Sequence, residues 1–281
     1  MIMSCWHLRP PSLRQRSCWL LSWLAAMLLL LLLLLLLIPA GAAQALPLRL
    51  AYSDVSTYPW QTGEGLEAGN PPGLAVDLIR QAGQDLGIEV VFERLPNKRV
   101  LLALQNGSID GAFIYSHNAE RAAFASFPMK NGQPDPLRRV ARLSYYIYQL
   151  KGAAACWDGQ QFSPLPRPIG ANAGYSVVGD LKKMGIEVEE AKNTDQNFNK
   201  LRLGRLTAVA AQDVMTDGWL QKNKASDIEK LPQPLVSKDY FLVFGQRYAK
   251  EHAELVEKLW DRIAATREQR TRDALPRYPA P

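Results

Sequence analysis

The chain has 281 residues, a formal charge of +6 and 47% hydrophobic residues. Its basic residues are interspersed with acids, which excludes the basic run of a nucleic-acid footprint. Its three cysteines leave only Cys156 beyond the leading segment, which excludes an internal disulfide in the rest of the chain.

Arg9, Arg14 and Arg16 precede an almost wholly apolar stretch from Trp19 to Ile38, then Pro39 and the small-residue site Ala43-Gln44-Ala45. That order is the signature of a secretory signal peptide covering 1–45, cleaved after Ala45, with Ala42 as the alternative. The rival reading is a retained anchor, since the apolar run is long enough to span a bilayer. Loss of three arginines on cleavage lowers the formal charge from +6 to +3. Periplasmic localisation follows from export.

Beyond residue 46, short apolar strands alternate with amphipathic helices, an α/β pattern. Strands are expected at 48–52, 89–92 and 109–114. Helices fall at 74–86 and 98–106, closed by Gly87 and Gly107, where a C-terminal glycine belongs. The pattern then repeats. Strands fall at 169–171, 186–188 and 207–211. Helices fall at 174–184, at 195–203 with a cap at Thr194 or Asp195, and at 214–222. Two β-prone aromatic stretches, 144–150 and 240–244, link the halves. A final helix over 249–270 carries Leu255, Leu259 and Ile263 on one face, and a frayed end runs from Pro276 to Pro281. Two open α/β lobes joined by two hinge strands make a clamp, with lobe 1 at 46–147 plus 241–281 and lobe 2 at 148–240. A cleft between such lobes is a usual place for a small-molecule site.

Several motifs carry a resemblance. Leu50-Ala51-Tyr52-Ser53-Asp54 with Tyr58-Pro59-Trp60 looks like a first strand and "Y-x-P-F" turn. Gly73-Leu74-Ala75-Val76-Asp77-Leu78 is similar to a "G-F-D-V-D-L" helix start. Leu104 to Gly111 matches "L-x-x-G-x-I-D", and Glu120-Arg121 with Phe127-Pro128 is similar to "T-x-E-R-x-x-x-x-x-F-S/P". Ile169-Gly170 to Gly174-Tyr175-Ser176 looks like "V-G-V-x-x-G-T-T", and Gln212-Asp213 stands where a second-lobe aspartate is found. In this order the motifs resemble the extracellular solute-binding proteins of family 3, receptors for polar amino acids in ABC importers. The resemblance implies a type II periplasmic-binding-protein-like clamp; a monomer with no cofactor is expected, with an amino-acid-like ligand and a membrane permease of an ABC importer as partners and no nucleic acid.

A free amino acid presents a carboxylate and an ammonium, so its capture needs a fixed cation and a fixed anion. Arg121 suits the carboxylate, because a guanidinium holds it in a bidentate pair. The resemblance gives Arg121 that role and gives Asp213 the ammonium; Asp213 also suits a helix N-cap. Ser116 is expected to supply a hydroxyl. Tyr175 and Ser176 open a helix whose N-terminus favours an anion, and capping is an equal reading for Ser176. Tyr58 and Trp60 are candidates for an apolar wall or for core packing. Asp54 reads a cationic side chain or stabilises its loop. The sequence departs from the family at Asn97, which follows Pro96 where many relatives carry tryptophan, and in the loop Tyr115-Ser116-His117-Asn118. Neither His117 nor His252 has neighbours at metal-ligand spacing. The alternatives are an enzyme of the dehydratase kind on the same fold, for which Glu120 and His117 are the nearby acid–base groups, or a membrane-anchored sensory binding protein.

Overall fold

A computed structural model describes residues 46–154, 156–165 and 168–278, together with Trp23 and Met27–Leu29. The expected signal peptide and its cleavage site otherwise lie outside the described residues. The chain divides after Ala45 into two units, and the fold belongs to the second, Leu46–Pro281. No helix among the described residues is long and apolar enough to cross a membrane.

The first lobe starts with β1 (Leu48–Ser53), followed by a small hairpin of β2 (Gly63–Glu64) and β3 (Glu67–Ala68). Helix α1 (Leu74–Asp85) leads to β4 (Val90–Leu95), and α2 (Asn97–Asn106) leads to β5 (Gly111–Ser116). β4 and β5 lie parallel on either side of β1. Period-two alternation divides β1 between two cores. Leu48, Leu50 and Tyr52 pack with α1 through Ala75, Val76 and Ile79, whereas Ala51 faces α2 through Val100 and Leu104. Gly107 closes α2 in the left-handed conformation, with φ 74°, which glycine adopts without penalty.

Helix α3 (Ala119–Ala122) is a single turn, and β6 (Ala125–Ser126) and the hairpin of β7 (Met129–Lys130) and β8 (Gln133–Pro134) follow it. The long strand β9 (Ala141–Leu150) leaves for the second lobe. There β10 (Ile169–Asn172), α4 (Ser176–Lys183), β11 (Val188–Ala191), α5 (Thr194–Arg202), β12 (Ala208–Gln212) and α6 (Asp213–Lys222) repeat the β-α-β theme. β10 is parallel to β11 and β12. Cys156 is buried in this lobe's core beside Trp157 and Ile169, as a packing residue. The return strand β13 (Ile228–Gly245) is 18 residues long, well beyond the expected five.

One continuous sheet joins the halves in the order β11-β10-β12-β9-β13-β5-β1-β4, with β6 on β13. β9 and β13 pair antiparallel at its centre, β9 also pairing with β12 and β13 with β5. This is the curled α/β sheet of a two-lobed clamp, with the two hinge strands side by side.

The C-terminal helix differs from its expected bounds. Short α7 (Gln246–Glu251) is broken from α8 (Ala253–Ala274) at His252. The buried stripe of α8 is Val256, Leu259, Trp260, Ile263 and Arg267, so the helix is rotated towards Val256, and Leu255 is only partly buried. Trp260 Nε1 donates to Leu242 O at 2.8 Å, tying α8 to the sheet. The cap of α5 is Asn193, not Thr194 or Asp195; its side chain accepts from Gln196 N at 3.0 Å. The end of the chain is held as far as Tyr278. Its hydroxyl donates to Asp77 Oδ2 and accepts from Gly73 N, each at 2.8 Å.

Candidate functional site

Strand β5 builds the first-lobe side. Ile114 has φ 62°, a left-handed conformation that a β-branched residue seldom takes. Opposite it, Phe241 pairs with Tyr115 and Leu242 with Phe113, so Ile114 is the extra residue of a bulge. The bulge brings Phe113, Ile114 and Tyr115 together to one cavity wall. Beyond Ser116, Asn118 caps the single turn α3 by accepting from Arg121 N at 2.8 Å. That cap fixes the backbone from which Arg121 turns inward.

Arg121 is 6% exposed. Its Nη1 donates to Ser116 O at 2.9 Å and to Ser116 Oγ at 3.2 Å. Its Nη2 donates across the cleft to Gly174 O at 3.0 Å. The guanidinium carbon lies 5.1 Å from the centre of the Tyr115 ring, a cation–π distance. A guanidinium has five donor protons. These bonds leave Nε and one Nη2 proton without a partner among the described residues, and this is the edge that suits a carboxylate.

The second lobe meets this wall through the turn after β10 and the end of β12. Ser116 Oγ donates to Ser176 Oγ at 2.8 Å, linking the lobes hydroxyl to hydroxyl. Lys238 Nζ donates to Ser176 Oγ at 2.9 Å and is ion-paired with Asp180. Burial pulls the Lys238 ammonium below its usual range, against the opposing pull of Asp180. Gln212 Nε2 donates to Tyr145 Oη at 3.3 Å and Tyr240 Oη at 3.2 Å, and Tyr240 Oη donates to Tyr145 Oη at 3.2 Å. Burial pushes up the phenols of Tyr115, Tyr145, Tyr175 and Tyr240, so all four are neutral at ordinary pH.

These groups surround a narrow cavity between the lobes, walled mostly by polar side chains. Of the described residues that line it, Arg121 alone carries a full charge. Arg121, Tyr175 and Ser176 also line an outer groove with Lys98 and Glu190.

Of the residues picked from the sequence, Arg121, Ser116, Tyr175 and Ser176 come together here, with Ser116 hydrogen-bonded to both Arg121 and Ser176. Asp213 does not line this cavity. Strand β12 ends at Gln212, which occupies the wall. One residue later the chain has turned into α6, where Asp213 Oδ1 accepts from Val214 N at 2.9 Å. Asp54 and Tyr58 line a separate groove with Asp195 and Trp219 of the second lobe. Trp60 packs against the cores of both lobes. Gln61, Asn97, Tyr145 and Tyr240 are wall residues that sequence reasoning did not select. The only available signals were the atypical Asn97 and the glutamine preceding Asp213. His117 stacks edge-on against Phe127, with ring centroids 5.0 Å apart, and burial lowers its pKa. Among the described residues no group of three or more His, Cys, Asp or Glu side chains is placed to hold a metal ion.

A polar cavity closed between two α/β lobes on paired hinge strands defines a solute-binding clamp. The family model of the bacterial extracellular solute-binding proteins, family 3, matches residues 53–277, and the chain belongs to that family. No curated protein matches the chain. Among solved structures, it is similar to the GluR0 ligand-binding core from Nostoc punctiforme in complex with L-glutamate, at 15% identity over 84% of this chain and 100% of that one, with a TM-score of 0.64. It is similar to the substrate-binding protein of an amino acid ABC transporter, at 14% identity over 82% and 98% of the chains, TM-score 0.62. It is also similar to a histidine kinase sensor domain with similarity to periplasmic binding proteins, at 15% identity over 82% and 94%, TM-score 0.65. At these identities the likeness is one of fold.

Proposed function

We propose that the protein captures an amino acid or an amino-acid-like acid outside the cytoplasmic membrane and delivers it to the permease of an ABC importer. Lobe 1 is taken as 46–147 plus 241–281 and lobe 2 as 148–240, with 1–45 removed on export. The observation that carries this reading is the buried Arg121, whose remaining donor edge has no partner among the described residues of a cavity closed by both lobes. The ligand carboxylate binds Arg121. Ser116 and Ser176 add hydroxyls, and Tyr175 closes over the ligand from the second lobe. Contacts made only when the lobes meet stabilise closure in proportion to what the ligand adds.

A thermal-shift screen of amino acids and related acids tests this, because a ligand bound only by the folded state raises the melting temperature. Arg121→Ala is expected to abolish the shift. An undiminished shift in that variant removes the carboxylate clamp. The enzymatic alternative has one structural point in its favour, the contact between Ser176 and the partly desolvated Lys238. Recovery of the ligand chemically unchanged after long incubation separates binder from enzyme. N-terminal sequencing of the exported protein separates a free receptor, starting near Leu46, from an anchored one.

A further inference from the structure

On the reading that Arg121 holds a carboxylate, the rest of the cavity wall decides what else the ligand carries. Two wall residues are buried glutamines, Gln61 at 1% exposure and Gln212 at 3%. In each, the side-chain oxygen has no hydrogen-bond partner among the described residues. Leaving a buried carbonyl unsatisfied costs about 1–3 kcal/mol. Two in one small cavity mark a place where a ligand supplies donors.

The orientation of Gln61 is fixed. Its Nε2 donates to Val55 O at 2.8 Å, and a carbonyl can only accept, so nitrogen and oxygen cannot exchange places. Its backbone is pinned to Thr57 in both directions, Thr57 N donating to Gln61 O at 2.9 Å and Gln61 N to Thr57 O at 3.1 Å. Gln212 uses Nε2 on two tyrosine hydroxyls, which leaves Oε1 as the acceptor. One acceptor thus comes from each lobe.

The wall carries no carboxylate. Asp180 is taken by Lys238, Asp213 by the first turn of α6, Glu190 of the outer groove by Lys98, Lys182 and Gly174 N, and Asp54 lies in the neighbouring groove. A bound carboxylate neutralises Arg121. A zwitterion would bring a further ammonium, to be held by amide dipoles alone, and burying a cation without a counter-charge is costly. A hydroxyl needs only what the two glutamines offer. We propose that the site selects small hydroxy acids over amino acids of the same shape, the single hydroxyl proton going to one of the two glutamine carbonyls.

The test uses the protein expressed from the full chain and isothermal titration calorimetry. Each acid that raises the melting temperature is paired with its counterpart in which hydroxyl replaces ammonium, as in lactate against alanine or glycerate against serine. The hydroxy acid is expected to bind at least about tenfold tighter, a difference of about 1.4 kcal/mol. Equal or tighter binding of the amino acid overturns the proposal and leaves the Arg121 clamp standing. If no acid of either kind shifts the melting temperature, the clamp reading fails and takes the proposal with it. Gln212→Glu introduces the missing counter-charge and is expected to move the preference about tenfold towards the amino acid. An unchanged preference in a variant that still melts cooperatively removes the role of Gln212.

Discussion

Asn118, Gly73 and His117 show how single residues set the site without touching its contents. Asn118 accepts from Arg121 N and so fixes the turn that aims the guanidinium. Asn118→Ala is expected to cost about 1 kcal/mol of stability, as for other lost caps, and to weaken ligand binding as well; denaturant melts with and without ligand measure both. Gly73 has φ 127°, and a Cβ there would meet Trp60 O at 2.4 Å and Gln61 Cα at 2.6 Å. Its bareness lets the turn that carries Gln61 sit on the start of α1, so Gly73→Ala is expected to loosen that turn and weaken binding. His117 is held neutral by burial, below its ordinary value of 6.5. The unfolded chain therefore binds more protons in that window, and stability falls as pH drops through 6.5 towards the folded value. His117→Phe keeps the ring against Phe127 and removes the proton. Melting temperatures followed from pH 7 to pH 5 are expected to fall less steeply for this variant than for the wild type.

At the scale of elements, the hinge strands and the last helix matter most. Strand β13 pairs with β9 along one edge and with β5 on the other, and the bulge at Ile114 lies in that second pairing. The bulge was not legible from the sequence, because Ile114 has the composition of an ordinary strand residue. Only the register against Phe241 and Leu242 forces the extra residue. Helix α8 covers the first-lobe sheet with Val256, Leu259, Trp260 and Ile263. Ile263 is fully buried, so Ile263→Ala is expected to cost about 2–5 kcal/mol, read as a lower urea midpoint. A cost below about 1 kcal/mol would show that α8 is not part of the first-lobe core. The sequence placed this helix but missed its break at His252 and its rotation. Both Leu255 and Val256 fit an apolar stripe, and only the sheet beneath decides between them.

Across the whole molecule, closure depends on how near the lobes approach. Asn97 of α2 donates through Nδ2 to Ala173 O in the second lobe at 3.2 Å, while its Oδ1 accepts from Tyr115 Oη at 2.8 Å. A Cβ on Gly174 would lie 2.6 Å from that Nδ2, and Gly174 itself has φ 75°. The departure from tryptophan at position 97 thus has a structural meaning, since a short amide and a facing glycine let the two backbones meet. Gly174→Ala is expected to keep the lobes apart. Small-angle scattering with saturating ligand would then show a larger radius of gyration than the wild type, and affinity would drop at least tenfold. A variant as compact as the wild type would mean that this contact does not limit closure. The Lys98–Glu190 ion pair also spans the lobes, but Lys98 is 67% exposed, and such a pair adds little.

Local chemistry was enough for much of this protein. Apolar periodicity, helix-closing glycines and ordered motifs determine an α/β clamp of family 3, because they depend on neighbours a few residues apart. The same motifs led to Arg121, Tyr175 and Ser176, which share one cavity, and to Ser116, which is hydrogen-bonded to two of them. The remaining wall came from tertiary structure. Tyr145 and Tyr240 reach the cavity because β9 and β13 lie side by side, a pairing between residues 95 positions apart in the chain. Gln212 rather than Asp213 faces inward because β12 ends where it does, and a shift of one residue at a strand end exchanges what a wall presents. The sequence carried the choice of residue types; the register of the sheet chose which of them meet.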